Sequence, residues 1–121
     1  MRTTPTAGPE AVKPVIVQVL RIRGCLDPDV TFKVCALIED FQRQGQVHFA
    51  LHLEACTYAL NDRHLNALAM RAQRLKEYGG GLLIVAVPAH IRHTLVLAGY
   101  ADKFQYFDTE QAALDHFAGK R

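Results

Sequence analysis

From Val15 onward the apolar positions change period along the chain, and each change marks an element. Val15, Val17 and Val19 alternate with Ile16, Gln18 and Leu20, followed by Arg21, Ile22 and Arg23, which predicts a strand ending at Gly24. After Asp27-Pro28-Asp29 the period becomes helical: Val30, Val34, Leu37, Ile38 and Phe41 form one apolar stripe, with Lys33, Glu39, Asp40 and Arg43 on the wet side. Asp27 or Asp29 is the expected cap and Gly45 the expected stop. A second strand, Val47 to Leu53, places Val47, Phe49, Leu51 and Leu53 on one face and His48, Ala50 and His52 on the other.

Cys56 to Leu60 reads as a further apolar strand that passes through the polar turn Asn61-Asp62-Arg63-His64 into an amphipathic helix. That helix turns Leu65, Leu68, Ala69, Ala72 and Leu75 toward a core and closes at Gly79-Gly80-Gly81. Leu82 to Val87 is almost wholly apolar, as expected of a strand covered on both faces. A short helix from Ala89 uses Ile91, Thr94, Leu95 and Ala98 and stops at Gly99, and Phe104 to Phe107 makes an edge strand. Asp108 and Gln111 form a candidate capping box for a last helix through Leu114 and Phe117. Strands alternating with helices predict an α/β domain over residues 15–118, with a mostly parallel mixed sheet of four to five strands and four helices.

Composition changes this picture mainly by exclusion. With 121 residues, half of them apolar, the chain is one domain of ordinary size. A formal charge of +2, with Lys and Arg scattered, does not suggest nucleic acid as a partner. Met1 to Pro14 lacks the apolar core of a secretory signal and reads as a flexible tail, and no stretch approaches a membrane span, so the expected location is the cytoplasm. Cys25, Cys35 and Cys56 are far apart with no C-x-x-C pair, as expected of free thiols.

The turn at Asn61 and Asp62 is the first candidate for function. The opening amides of a helix have no backbone partner and favour negative charge, so Asn61 or Asp62 is an expected N-cap worth about 1 kcal/mol, and Asp62 also places a fixed charge there. On the following helix Arg63, Asn66, Ala67, Met70 and Arg74 recur at i, i+3, i+4, i+7 and i+11, a stripe separate from the apolar one. Met70 is an adaptable apolar side chain on this otherwise polar face.

These segments carry a resemblance. Gly24-Cys25-Leu26-Asp27 is similar to the G-x-L-D that follows the first strands of STAS domains, the modules of sulfate transporters and anti-sigma factor antagonists. Cys56 to Ala69 resembles the family's strand, loop and second helix, and Gly81 to Pro88, then Leu95, Leu97 and Gly99 to Phe104, resembles its closing third. The likeness runs from Val15 to Phe117. Aligned on Leu65, Asn61 falls where the family has an acid and Asp62 where it has the phosphorylated Ser or Thr, with one extra residue near Ala59. No hydroxyl is available there, and one carboxylate carries less charge than a phosphate. The module is then either fixed toward the phosphorylated-like state or paired with a partner that never used phosphorylation.

The resemblance implies a non-enzymatic binding module of a bacterial partner-switching pathway that regulates transcription, engaging an anti-sigma factor or a histidine-kinase-like ATPase. The implied switch loop is Asp27, Asn61, Asp62, Arg63 and His64, and the implied partner face is the stripe from Arg63 to Arg74. Alternatives are a stand-alone STAS subunit of a membrane-lipid ABC transport complex and a small-molecule or nucleotide-binding protein. No cofactor is expected. The acids and lysine of a receiver domain are missing, and Gly79-Gly80-Gly81 follows a helix rather than opening one, the wrong order for a phosphate loop. His48 with His52, and His90 with His93, share faces, but nothing in the sequence completes a metal shell. Cys56 and His64 lack the local activation a nucleophile needs.

Overall fold

The first apolar stretch does not run straight to Gly24. In the computed structural model, which describes residues 15–59 and 63–119, β1 (Gln18–Arg21) stops before Ile22, and a second strand, β2 (Gly24–Leu26), begins where the first was expected to end. Gly24 has φ +77°, a left-handed conformation that glycine adopts without a Cβ penalty, and it redirects the chain out of the main sheet. Ile22 is itself buried. The helix α1 (Pro28–Arg43) follows, opened by Asp27, whose Oδ1 accepts from the Val30 amide at 2.9 Å, with Pro28 in the first turn. It ends at Gln44 and Gly45 as expected.

The remaining elements are β3 (His48–His52), β4 (Cys56–Ala59), α2 (His64–Glu77), β5 (Gly81–Val85), α3 (Ala89–Ala98), a 3₁₀ turn at Ala101–Lys103, β6 (Gln105–Phe107) and α4 (Glu110–Ala118). The main sheet has the order β1-β3-β5-β6, and β2 pairs with β4 in a separate two-stranded sheet. Every pairing among the described residues is parallel. All five residues of β5 are buried, consistent with its place between β3 and β6.

The alternation along β3 and β5 builds two cores, one on each side of the sheet. Phe49, Leu51, Leu82 and Ile84 pack with Val34 and Ile38 of α1 and with Leu65, Leu68, Ala72 and Leu75 of α2. Ala50, Leu83 and Val85 pack with Ala113 and Phe117 of α4. Gly80 stands between α2 and β5 where a Cβ would lie 1.9 Å from the Val47 carbonyl oxygen, so only glycine fits that approach.

Three expectations are corrected. Leu37, placed in the apolar stripe of α1, is exposed, and Thr31 and Cys35 are buried in its stead, because the face that meets both the sheet and α2 is rotated toward them. The last helix is capped by Thr109, whose hydroxyl accepts from the Ala112 amide at 3.1 Å, so Asp108 and Gln111 do not form the capping box. The buried strand ends at Val85, because Ala86 turns away with φ +53°. The segment Met1 to Pro14 lies outside the described residues. No helix of the described residues is long and apolar enough to cross a membrane.

Candidate functional site

The candidate site begins where the amino-terminal turns of α1 and α2 meet. Thr31, on the first turn of α1, is fully buried, and its Oγ1 lies 2.7 Å from Nδ1 of His64, the first residue of α2. This bond ties the two helix starts together beneath the surface. His64, expected in an open switch loop, is therefore packed into the domain, with its Nε2 buried and without a hydrogen-bond partner among the described residues. The sequence offered no signal for the pair, since the two residues are 33 positions apart and neither lies on a recognisable polar stripe.

Asp27 caps the neighbouring helix and holds its carboxylate against the α1 amides. Asn61 and Asp62 lie outside the described residues. Arg63 is exposed and already helical at φ −61°, ψ −22°, and its carbonyl accepts from the Asn66 amide at 2.9 Å. Thr57 is exposed on β4, and its carbonyl accepts from Nε2 of His90 at 3.0 Å.

Beyond this turn α2 divides into two faces, as its pattern predicts. Leu65, Leu68, Ala69, Ala72 and Leu75 are buried. Of the proposed partner stripe, Arg63, Asn66, Met70 and Arg74 are exposed, and Ala67 is half-buried against the core. Asn66 Nδ2 donates to Met70 Sδ at 3.6 Å, which positions the thioether along the helix surface. Met70 is 62 % exposed, so its apolar body faces solvent.

Sequence reasoning missed the link on the inner border of this face. Arg71 Nη2 pairs with Glu39 of α1 across 32 residues, and the same guanidinium approaches the Cys35 thiol, whose pKa burial nevertheless pushes up. Burial likewise pushes up the Cys56 thiol, so neither sulfur has the electropositive, accessible setting of a nucleophile.

The histidines serve other contacts. His52 Nδ1 lies 2.5 Å from Glu110 Oε2, which also receives Arg21 Nη2 at 2.7 Å, joining β3 and β1 to the start of α4. His48 packs its ring edge-on against Phe117. His93 is exposed on α3. Among the described residues no group of three or more His, Cys, Asp or Glu is placed to hold a metal ion.

Helices α1, α2 and α3 in the core on one side of a parallel sheet, α4 on the other, and a two-stranded sheet whose second strand leads into α2 define a small α/β module. Solved structures share this architecture. A sulfate transporter family protein from Wolinella succinogenes is 19% identical with TM-score 0.72, covering 94% of each chain. The Bacillus anti-sigma factor antagonist SpoIIAA in its unphosphorylated form is 18% identical with TM-score 0.71, covering 87% of this chain and 90% of that one. The STAS domain of a SulP transporter from Vibrio cholerae is 18% identical with TM-score 0.60, covering 90% and 86%. The chain has the STAS fold. No family model and no curated protein matches the sequence.

Proposed function

We propose that this chain is a non-enzymatic protein-binding regulatory module of the anti-sigma factor antagonist kind, and that its partner seats on the exposed face of α2 and the turn before it. The observation that carries this function is the division of α2. One stripe closes the core, while Arg63, Asn66, Met70 and Arg74 stay at the surface with an apolar side chain at their centre. The partner is a cytoplasmic anti-sigma factor or histidine-kinase-like ATPase. In the alignment on Leu65, Asp62 falls where the family has its phosphorylated Ser or Thr and brings a fixed negative charge, so in this reading the module is not switched by phosphate at that turn.

The test begins with co-purification of the partner, its identification by mass spectrometry, and measurement of Kd with both proteins pure. Arg63→Glu and Met70→Asp are each expected to weaken binding by about 1 to 3 kcal/mol while leaving the folding midpoint nearly unchanged, since both side chains are exposed. Unchanged affinity in both variants would place the interface elsewhere. A transporter ATPase as the recovered partner would instead favour the lipid-transport subunit. A second expectation concerns modification: incubation with a cognate kinase and labelled phosphate should leave residues 61–64 unlabelled, because Asn61, Asp62, Arg63 and His64 offer no hydroxyl. Label assigned to residues 61–64 of a peptide spanning Cys56 to Arg71, as distinct from the hydroxyls of Thr57 and Tyr58 on the same peptide, would refute it.

A further inference from the structure

The exposed face of α2 continues into a groove between α1 and α2 that reaches past the end of the proposed partner stripe, to Tyr78. A concavity of about 380 Å³ lies between Phe32 and Met70 over Cys35, and a second of about 570 Å³ extends it past Arg43 to Tyr78 at the carboxy-terminal ends of the helices. Glu39, Arg71 and Arg74 line both, so the two form one trough. A rise of 1.5 Å per residue spreads its α2 wall, Ala67 to Tyr78, over roughly 16 Å. Phe32, Met70 and Tyr78, three of the large apolar side chains left at the surface, all stand on this trough.

Its charges are unequal. Arg71 is paired with Glu39, and Arg43 with Asp40. Arg74, which borders both halves, has no hydrogen bond or ion pair among the described residues, leaving one unmatched guanidinium at the middle of the trough. Apolar anchors at each end and an unmatched cation between them are complementary to a particular ligand chemistry. An amphipathic helix with anchors at i, i+4, i+7 and i+11 spans about the same 16 Å and can present a carboxylate between them.

The geometry points to docking of an acidic amphipathic helix of the partner protein in the α1–α2 trough, its apolar side on Phe32, Met70 and Tyr78 and a carboxylate on Arg74. This deepens the partner-binding function proposed above and rests on it. A helix rather than an extended strand is favoured because the walls are helices with no open backbone edge to pair with.

The probe is a synthetic helical peptide of about fourteen residues, four turns at 3.6 residues each, with leucine at the four anchor positions and glutamate and alanine elsewhere. The control carries lysine for every glutamate. Titration of the ¹⁵N-labelled full chain should move the amide signals around Phe32, Met70, Arg74 and Tyr78 with the acidic peptide and leave them in place with the basic one. Arg74→Glu and Tyr78→Ala should each raise the peptide Kd on the order of tenfold, with dispersed spectra showing that both variants stay folded. Equal binding of the two peptides, shifts centred elsewhere, or an unchanged Kd in Arg74→Glu would overturn the assignment. Concentration-dependent dimerisation abolished by Met70→Asp would also overturn it, giving the trough to a second copy of the chain. The two failures are distinguishable. Loss of natural-partner affinity in Arg63→Glu but not in Arg74→Glu or Tyr78→Ala would remove the trough and keep the partner module. A natural partner indifferent to every α2 variant would remove the partner face and the trough with it, whatever the synthetic peptide does.

Discussion

Thr31 and His64 hold the two helix starts together by one hydrogen bond in a setting where a lost partner is expensive. Both side chains are buried, and the imidazole already carries one buried nitrogen without a partner among the described residues. Thr31→Val keeps the volume but removes the hydroxyl, so Nδ1 is stranded as well, and a loss of about 1 to 3 kcal/mol of stability is expected. His64→Leu removes both ring nitrogens and the need to satisfy them. The double variant should therefore be less destabilised than the sum of the two single variants, and a urea-denaturation cycle measures the difference. Strict additivity would show that the bond contributes nothing. Residue-scale support for the proposed partner face is of another kind: Asn66 orients Met70 without burying it, so on that proposal replacing either should register in binding before it registers in stability.

At the scale of elements, the groove depends on how closely α2 can return to the sheet. The chain leaves α2 through Tyr78 and Gly79 and enters β5 by way of Gly80, whose amide donates to the Leu75 carbonyl at 2.9 Å and whose α-carbon sits against the backbone of Val47. A methyl group there would meet a carbonyl oxygen that cannot rotate away. Gly80→Ala is expected to cost about 1 to 3 kcal/mol or more, because α2 must move off β3 to make room. Thermal unfolding monitored by circular dichroism checks the loss. A neutral outcome would mean that the loop reorganises without moving the helix. The Glu39–Arg71 pair acts at the same scale, since it crosses from α1 to α2 on the floor of the groove. As a partly exposed pair it fixes the relative position of the helices more than it adds to stability.

Across the whole molecule the three thiols report on the integrity of both the core and the small sheet. Cys35 and Cys56 are buried and Cys25 is partly accessible. A thiol reagent at neutral pH should modify Cys25 in the native protein and reach Cys35 and Cys56 only on unfolding, as mass spectrometry of modified peptides would show. Rapid native modification of Cys35 would contradict its burial. The same two buried groups set a direction for pH dependence. Their folded pKa values lie above the ordinary thiol value of 9.0, chiefly through burial. Below that value folded and unfolded chains both keep the protons, and the stability is full. As pH rises above it the unfolded chain releases protons that the folded chain retains, so stability falls toward and through the folded-state values. Denaturation midpoints should therefore decline above about pH 9, and less steeply when both cysteines are replaced by alanine in a variant that still folds.

The sequence by itself determined the order and type of the elements other than β2 and the 3₁₀ turn, and much of the core. The two-residue period of β3 and the helical period of α2 are properties of neighbouring side chains, and each must bury its own apolar stripe wherever the element packs. The Asp27 cap was legible for the same reason, because its partner amide is three residues away. Tertiary structure alone decided the matters that depend on distant segments. Gly24 could end one strand or open another, and only pairing with β4 selected the latter. Leu37 fitted the α1 stripe by spacing, but the position of α2 and the sheet fixed which side of that stripe went inward and exposed it. The exposed stripe on α2 could be read from its spacing, while the groove beside it could not. Its wall on α1, the Glu39–Arg71 crossing and an Arg74 left without a partner among the described residues come from packing one helix against another, and side chains more than thirty positions apart leave no periodic trace in the chain.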